Sequence, residues 1–358
     1  MTNVVKLNIA SQRQTQKERD VALMQCFASH RRTGDDVFWL KENAELLNIL
    51  ECSGRKLADA DLAAYRGFYG QVEKRLQFFP QYYRFLLSIC LDLEDLGMEG
   101  WKGEVLANWV SDQGFARSEL SDLQRMEARR LMMRRGVDPL ADDRGLEDRV
   151  RAFISRSGTF SMPNKKAAYE LTHAVFYLSE YGRKDPCLNS ETRTSLEFTG
   201  LLAFLEQNAD LLAEVCIALR FGGFDVPEVW EAWLVRHTHL FGVEGGDHIG
   251  VQDDYHEFLV CNWMMQACGH RSFIKPMLGE RMAFRRAQSN AGPLRELSEC
   301  MFKMDQRSDD WQAMRPVVLD HLSEDAQAVV SWAEHSSDQF DAFFQGFARA
   351  GQAMGRMQ

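Results

Sequence analysis

Hydrophobic residues recur every three or four positions along almost the whole chain, with polar residues between them. This is the periodicity of helices that bury one face. Short polar or glycine-containing turns, such as residues 33–35 and 136–139, interrupt the pattern. Alternating runs bounded by hairpin turns, which would predict strands, do not occur. The pattern therefore predicts an all-α protein without a substantial sheet.

The periodic segments predict helices near residues 17–30, 36–51, 60–77, 80–96, 99–112, 118–135, 145–156, 164–182, 192–206, 208–220, 226–240, 252–267, 271–286, 291–304, 308–320, 324–335 and 337–353. Roughly sixteen paired helices favour an α/α toroid-like fold or a curved helical solenoid. Because no internal repeat is detectable, an irregular bundle stays open as an alternative.

The best candidate boundary is the Ser/Gly/Pro turn that ends the segment 144–163. It divides the chain into a loose N-terminal arm (1–16), an N-terminal helical region (17–145) and a C-terminal helical region (146–358). The two helical regions could also form one continuous domain.

Composition narrows the class of protein. Of the 358 residues, 45% are hydrophobic and 26% are charged, as in globular proteins. No apolar run approaches the roughly 20 residues that span a bilayer, and the N-terminus lacks a signal-peptide pattern. The net charge of −10 argues against a nucleic-acid binder. Eight cysteines without CxxC spacing are expected to be reduced core residues, so we expect a cytoplasmic protein.

The most basic helix carries five arginines between residues 125 and 135, with acidic residues on both sides. A salt-bridged, solvated face explains this composition better than a phosphate-binding patch, which is the alternative.

One helix combines two very different faces. In the segment 164–182, Tyr169, Glu170, His173, Tyr177 and Glu180 share one face, whereas apolar residues fill the other. Glu and His at i,i+3 can meet one metal ion or share one proton. Buried carboxylates are costly unless paired, so the helix is predicted to line a polar cavity, with a closed core network as the alternative.

A second cluster of carboxylates and histidine follows at Asp253, Asp254, Tyr255 and His256. The two clusters could converge, but ferritin-like di-iron sites require further Glu residues and use Glu in place of Asp, so that match is partial. Either aspartate could instead cap the following helix. At a helix N-terminus, His256 is expected to be neutral, as a metal ligand, a general base or a hydrogen-bonded core residue.

The string LTHAVFYLSEYG, residues 171–182, resembles an LTHxxFYxT[DE][FY]G signature of poorly characterised bacterial helical proteins, with Ser179 in place of the threonine. Some of those proteins are encoded near natural-product genes. The segment 253–256 is similar to their later aspartate-x-tyrosine-histidine element. The resemblance implies a helical, toroid-like fold and a shared site at His173 and His256. It implies no particular reaction.

We interpret the chain as a metal-dependent or acid/base enzyme for a small molecule or peptide, in a biosynthetic pathway if the resemblance extends to function. Whether it is an enzyme stays open, and the alternative is a non-catalytic helical scaffold that binds a peptide or partner protein. The expected partners exclude nucleic acid and membranes, and a homo-oligomer is open. The candidate catalytic residues are His173, His256, Glu170 and Tyr177; the candidate substrate-binding residues are Tyr169, Glu180 and Tyr255; and the candidate ligands of a divalent zinc or iron ion are His173, His256 and Asp254.

Overall fold

The computed structural model describes residues 14–34, 36–246, 249–250, 252–287, 292–304 and 307–350. In this part of the chain the α-helices are α1 (Gln16–Cys26), α2 (Val37–Cys52), α3 (Arg66–Phe78), α4 (Tyr83–Leu96), α5 (Lys102–Asp112), α6 (Asp122–Met133), α7 (Leu146–Ile154), α8 (Ser157–Phe160), α9 (Lys165–Leu178), α10 (Ser190–Glu206), α11 (Ala209–Phe221), α12 (Glu228–Leu240), α13 (Tyr255–Ala267), α14 (Leu294–Lys303), α15 (Trp311–His321), α16 (Glu324–Ser336) and α17 (Phe340–Ala348). The all-α prediction is confirmed.

Short irregular helices complete the chain path. A π-helical segment, Phe27–Arg31, continues α1, and 3₁₀ turns cover Asp59–Tyr65, Pro80–Tyr82 and Phe115–Ser118. The predicted helix at 60–77 therefore starts as a 3₁₀ turn before α3.

One predicted helix is wrong. Within 271–286 the structure has an irregular segment and then strand β2 (Met282–Arg285), which pairs antiparallel with β1 (Gly242–Gly245). Pro276 cannot continue a helical hydrogen-bond ladder, and Phe273 adopts a positive φ of 49°. The apolar residues of this segment fit the spacing of a helical face, but Met282 to Phe284 are buried as a strand.

Asparagine caps fix the starts of the helices that matter most for the site. The Asn164 side chain accepts a hydrogen bond from the Ala167 N–H at the start of α9, and Asn208 accepts one from the Leu211 N–H at the start of α11. Each cap satisfies a backbone donor that the helix leaves free. The caps therefore set where each helix begins, and with it the face on which later side chains lie.

The core is centred on α11, which packs against α9, α10, α12 and α13. Ten α11 residues, 209 and 211–219, are buried, and the half-buried Asp210 lies between them. In the N-terminal region, α2 packs against α4 and also against α13, while α6 packs against α9. These contacts join the two predicted regions, although the boundary at 145/146 and the toroid-like shape stay predictions.

The start of the chain is held in place where the structure describes it. The Gln14 side chain donates to the Met277 carbonyl at 2.7 Å and accepts from the Met277 N–H at 2.9 Å. The rest of the predicted arm, residues 1–13, lies outside the described residues. Among the helices described, none is long and apolar enough to cross a bilayer.

Candidate metal centre

The centre of the candidate site is a pair of carboxylates on α11. Asp210 and Glu214 are four residues apart and so lie on one face of the helix. The other residues of α11 before Arg220 are apolar, and Glu214 is 3% exposed. A helix that is apolar on all sides belongs in a core, so these two charges require partners on neighbouring helices.

Helix α9 supplies three of those partners. The Tyr169 hydroxyl donates to Asp210 Oδ2 at 2.7 Å, and the Thr172 hydroxyl donates to Glu214 Oε2 at 2.5 Å. His173 Nε2 lies 3.6 Å from Glu214 Oε1. Positions i, i+3 and i+4 of α9 therefore face positions i and i+4 of α11. The His173 side chain is 42% exposed, so the site reaches solvent on this side.

His256, in the first turn of α13, joins this cluster to α2. Its Nε2 atom lies 3.3 Å from Asp210 Oδ1, and its Nδ1 atom lies 3.2 Å from Glu45 Oε2. The other Glu45 oxygen, Oε1, lies 3.8 Å from Lys41 Nζ. Four helices therefore bring together Glu45, His173, Asp210, Glu214 and His256, which we call the carboxylate–histidine cluster.

The cluster shifts the pKa of both histidines upward. Burial disfavours an imidazolium at His173, but the Glu214 carboxylate outweighs burial and raises the pKa above its ordinary value. Burial acts in the same way on His256, where Glu45, Asp210 and Glu214 together raise the pKa to about 9. These carboxylates favour the protonated ring, in contrast to the neutral His256 expected from its place at a helix N-terminus. Three carboxylates outweigh the dipole of one helix end.

The two α11 carboxylates respond differently to their surroundings. Burial raises the pKa of Asp210, although His256 and the Tyr169 hydroxyl act in the opposite direction. Burial also opposes ionisation of Glu214, but His173 and the Thr172 hydroxyl hold its pKa below the usual value. Glu214 is therefore the firmly ionised member of the pair.

The cluster has the geometry of a metal site. One ligand atom each from Asp210, Glu214 and His256 lies within 4.8 Å of the other two. Bonds of about 2.0–2.2 Å to one ion place ligand atoms about 3–4 Å apart, so a small inward movement suffices. Three buried atoms, Asp210 Oδ1, His256 Nδ1 and Glu45 Oε2, have no aligned hydrogen-bond partner. Buried polar atoms normally have one.

If His256 binds a metal ion through Nε2, then Nδ1 faces Glu45. A ligating histidine usually gives its second ring nitrogen to a carboxylate, which fixes the orientation of the ring. Glu45 is placed for that role. Tyr255 lies near Glu45. Burial and the Glu45 carboxylate both raise the pKa of the Tyr255 hydroxyl.

Several predicted site residues have other contacts. Glu170 lies 3.9 Å from Lys166, and Glu180 lies 3.0 Å from Arg130 beyond the end of α9. Tyr177 is buried, with its ring 6.1 Å from that of His173. The Asp254 carboxylate accepts from the Arg286 N–H at 3.1 Å. None of these four belongs to the group of atoms that converges on one point.

Neither aspartate caps α13 through its side chain. Asp254 is the N-cap residue, but its carboxylate makes no capping hydrogen bond. Asp253 is held by Arg31 and accepts from the Phe284 N–H at 2.9 Å. Both aspartates therefore bind backbone N–H groups, as the capping alternative proposed, but those groups belong to β2 and the residue after it.

Sequence reasoning missed Glu45, Asp210 and Glu214. The available signal was Glu214, a single charge within the apolar run 211–219. Asp210 resembles an ordinary first-turn acid, which the helix dipole favours. Glu45 follows Lys41 at i,i+4, the usual pattern of a solvated pair.

Comparison with known proteins places the chain in a family. No curated protein and no solved structure shows significant similarity to it. A family model described as "Domain of unknown function (DUF6902)" matches residues 1–350. The chain therefore belongs to the DUF6902 family.

Proposed function

We propose that the chain binds a divalent metal ion through Asp210, Glu214 and His256 and uses it to act on a small molecule or peptide. The observation that carries the proposal is the convergence of these three ligand atoms within 4.8 Å, with buried atoms that lack hydrogen-bond partners. These atoms lie in ion pairs of 3.2 and 3.3 Å without aligned hydrogen bonds, so the ion pairs leave their hydrogen-bonding capacity unused. One imidazole with carboxylates suits Zn²⁺, Fe²⁺ or Mn²⁺.

Charge supports a cation at this place. The cluster brings three carboxylates together with two imidazoles, so with both histidines neutral its carboxylates face only one side-chain cation in the described part of the chain, Lys41 beside Glu45. A divalent ion supplies the missing positive charge without extra side chains. Three protein ligands also leave coordination positions free for water or substrate, as in catalytic metal sites.

His173 is the acid/base candidate of the proposed reaction. It lies against Glu214 yet is 42% exposed, so it can meet both a metal-bound group and a substrate. The metal would activate a bound water or polarise a substrate oxygen, and His173 would transfer the proton.

The experiment is elemental analysis of protein purified without added metal, followed by metal titration of His256→Gln and His173→Gln. We expect a metal near one equivalent in the wild type and its loss in His256→Gln. We expect His173→Gln to retain the metal, because His173 is not among the three converging ligands. Unchanged helical circular dichroism would show that both variants fold. Metal-free wild-type protein that also fails to bind Zn²⁺, Fe²⁺ or Mn²⁺ would refute the proposal.

A groove between α2, α3 and α4 favours the second candidate function, a scaffold that binds a peptide or partner protein. The groove measures about 670 Å³, and its lining includes Leu40, Phe79 and Leu86. Phe78 on its rim is 77% exposed, and apolar surface of this kind commonly binds other proteins. If metal binding fails, this groove becomes the better starting point.

The compartment and partners also belong to the proposal. We place the protein in the cytoplasm, because all eight cysteines are free and only Cys187 is exposed. The proposed partner is the substrate, without nucleic acid or membrane, and a homo-oligomer stays open.

A further inference from the structure

A second polar site lies beyond the C-terminal end of α9. A pocket of about 180 Å³ is lined by residues of α6, the start of α7 and the end of α9. It has apolar walls, among them Met126 and Met133, and a set of charged side chains. It shares no residue with the carboxylate–histidine cluster.

Arg130 is the unusual member of this pocket, because its side chain is only 4% exposed. Its guanidinium stacks on the Tyr181 ring at 4.3 Å, and its Nε atom lies 3.0 Å from Glu180 Oε2. Its Nη2 atom is buried and has no hydrogen-bond partner. A buried guanidinium normally pairs all its donors, but here Nη2 lacks an acceptor and Nε meets Glu180 without an aligned hydrogen bond.

Two further donors line the same pocket. Tyr177 is buried, and among the residues that the structure describes its hydroxyl makes no hydrogen bond. Lys184 is exposed and has no ion-pair partner in the described ranges. Arg130, Tyr177 and Lys184 therefore present donors without acceptors.

The remaining charges of the pocket are already balanced. Arg129 binds Asp138 through two hydrogen bonds of 3.0 and 2.7 Å, and Glu147 pairs with Arg151 at 2.7 Å. Glu180 is the partner of Arg130. The pocket therefore has one uncompensated positive charge, that of Lys184.

A strained turn follows α9 and forms one side of this pocket. Glu180, Tyr181 and Gly182 follow α9 with φ values of 48°, 54° and 82°. Consecutive non-glycine residues in this region are rare and persist where the surrounding structure imposes them, often at functional sites. The turn puts Glu180 beside the Arg130 guanidinium and Tyr181 beneath it.

We propose that this pocket binds the carboxylate or phosphate group of a small organic anion. Arg130 Nη2, the Tyr177 hydroxyl and Lys184 Nζ donate to the oxyanion, and the methionine side chains contact the apolar part of the ligand. Charge-assisted hydrogen bonds from arginine and lysine favour this class of ligand over a neutral one. The site acts independently of the proposed metal centre.

The test is titration of the full chain with inorganic phosphate and with butyrate in low-salt buffer. Tyr177→Phe and Lys184→Glu are the variants, because neither removes a hydrogen bond or ion pair of the described structure. We expect Lys184→Glu to abolish binding and Tyr177→Phe to weaken it by roughly tenfold. Lys303→Glu reverses one exposed charge on α14 and is the matched control, expected to bind as the wild type.

The two probes distinguish the ligands. Binding of phosphate alone identifies a phosphoryl group, and binding of butyrate alone identifies a carboxylate. The proposal is overturned if neither probe binds, or if Lys184→Glu binds like Lys303→Glu. It is also overturned if His256→Gln abolishes binding, because the anion would then sit at the carboxylate–histidine cluster.

Discussion

Two buried ionic clusters lie side by side between α2 and α13, and they differ in how completely their atoms are paired. In the first, Arg31 binds Glu42 at 2.8 Å, Asp253 at 2.7 and 2.9 Å, and the Met282 carbonyl at 2.9 Å. All three side chains are at most 1% exposed. We call this set the Arg31 clamp. In the second, the carboxylate–histidine cluster, Glu45 and His256 meet without an aligned hydrogen bond.

The two clusters are three residues apart both on α2 and in the segment that leads into α13. Glu42 and Glu45 are three residues apart on α2, as are Asp253 and His256 at the start of α13. The clamp therefore fixes the register in which Glu45 faces His256. The saturated network holds the backbone, and the unsaturated one beside it is the site that we propose binds a metal ion. On that proposal, the difference separates a structural role from a binding role within one interface.

The largest effect is expected for Arg31→Met, which tests the structural role of the Arg31 clamp. The change leaves Asp253 buried without its cation and Glu42 with Arg32 alone; breaking a buried pair in this way typically costs about 3–5 kcal/mol. We expect a loss of that size in the free energy of unfolding, measured by urea denaturation. Arg295→Met on α14, where the arginine is 88% exposed, is the control and should change stability by less than about 0.5 kcal/mol. Equal stabilities would mean that the clamp is not structural.

Glu214→Gln tests whether the carboxylate–histidine cluster contributes more to metal binding than to stability. The change removes a proposed metal ligand. Because changes in the outer shell already lower metal affinity by about 10–100-fold, we expect metal affinity to fall by more than about 100-fold. The metal-free variant should lose some stability, because the fold favours the Glu214 carboxylate through His173 and Thr172, but it should lose less than Arg31→Met does. Glu197→Gln is the control, since this buried glutamate pairs with Arg193 on α10. A metal-free Glu214→Gln that unfolds readily would make Glu214 structural.

The pH dependence of metal affinity tests whether His256 is a metal ligand. Glu45 from α2 and Asp210 and Glu214 from α11 raise the pKa of His256 to about 9, whereas burial opposes the rise and His173 on α9 is a second cationic group nearby. Below that pH a metal ion must displace a proton from His256. Affinity for Zn²⁺ should therefore rise by about tenfold per pH unit between about pH 6 and pH 8. Calorimetry in buffers of different ionisation enthalpy should show proton release. A flat profile would exclude His256 as a ligand.

The sequence predicts helices well and partners poorly, for physical reasons. Periodicity reports which face of a helix is buried, so α9 and its polar face were predictable. His173 and His256 were also identifiable, because each follows a carboxylate at i,i+3 spacing. The structure brings both to α11, but periodicity contains no information on which helices become neighbours. Asp210 and Glu214 could therefore be identified as partners of the histidines only from the packing of α9 against α11.

The same limit explains the residues that the sequence grouped together wrongly or too broadly. Tyr177 and Glu180 share the face of His173 on a continuous helix, but α9 ends at Leu178 and the chain turns with positive φ at Glu180. The turn directs Glu180 to Arg130. The arginine-rich helix was interpreted as salt-bridged, and Arg129, Arg134 and Arg135 do pair with acids. Arg130 also pairs with an acid, Glu180, but it differs in being buried with nitrogen atoms that make no hydrogen bond, which composition alone could not show.

The smallest expected effect concerns Tyr169, whose hydroxyl holds Asp210 Oδ2 and leaves Oδ1 toward His256. Tyr169→Phe removes that hydrogen bond and lets the carboxylate rotate, so we expect metal affinity to fall by about tenfold, at the low end of outer-shell effects. Tyr83→Phe is a matched control, because Tyr83 donates to Glu119 at 2.6 Å in the N-terminal region. Both variants should lose about 1 kcal/mol of stability. If Tyr83→Phe lowered metal affinity equally, the effect of Tyr169 would be general destabilisation; a selective loss would show that α9 orients the ligands of α11.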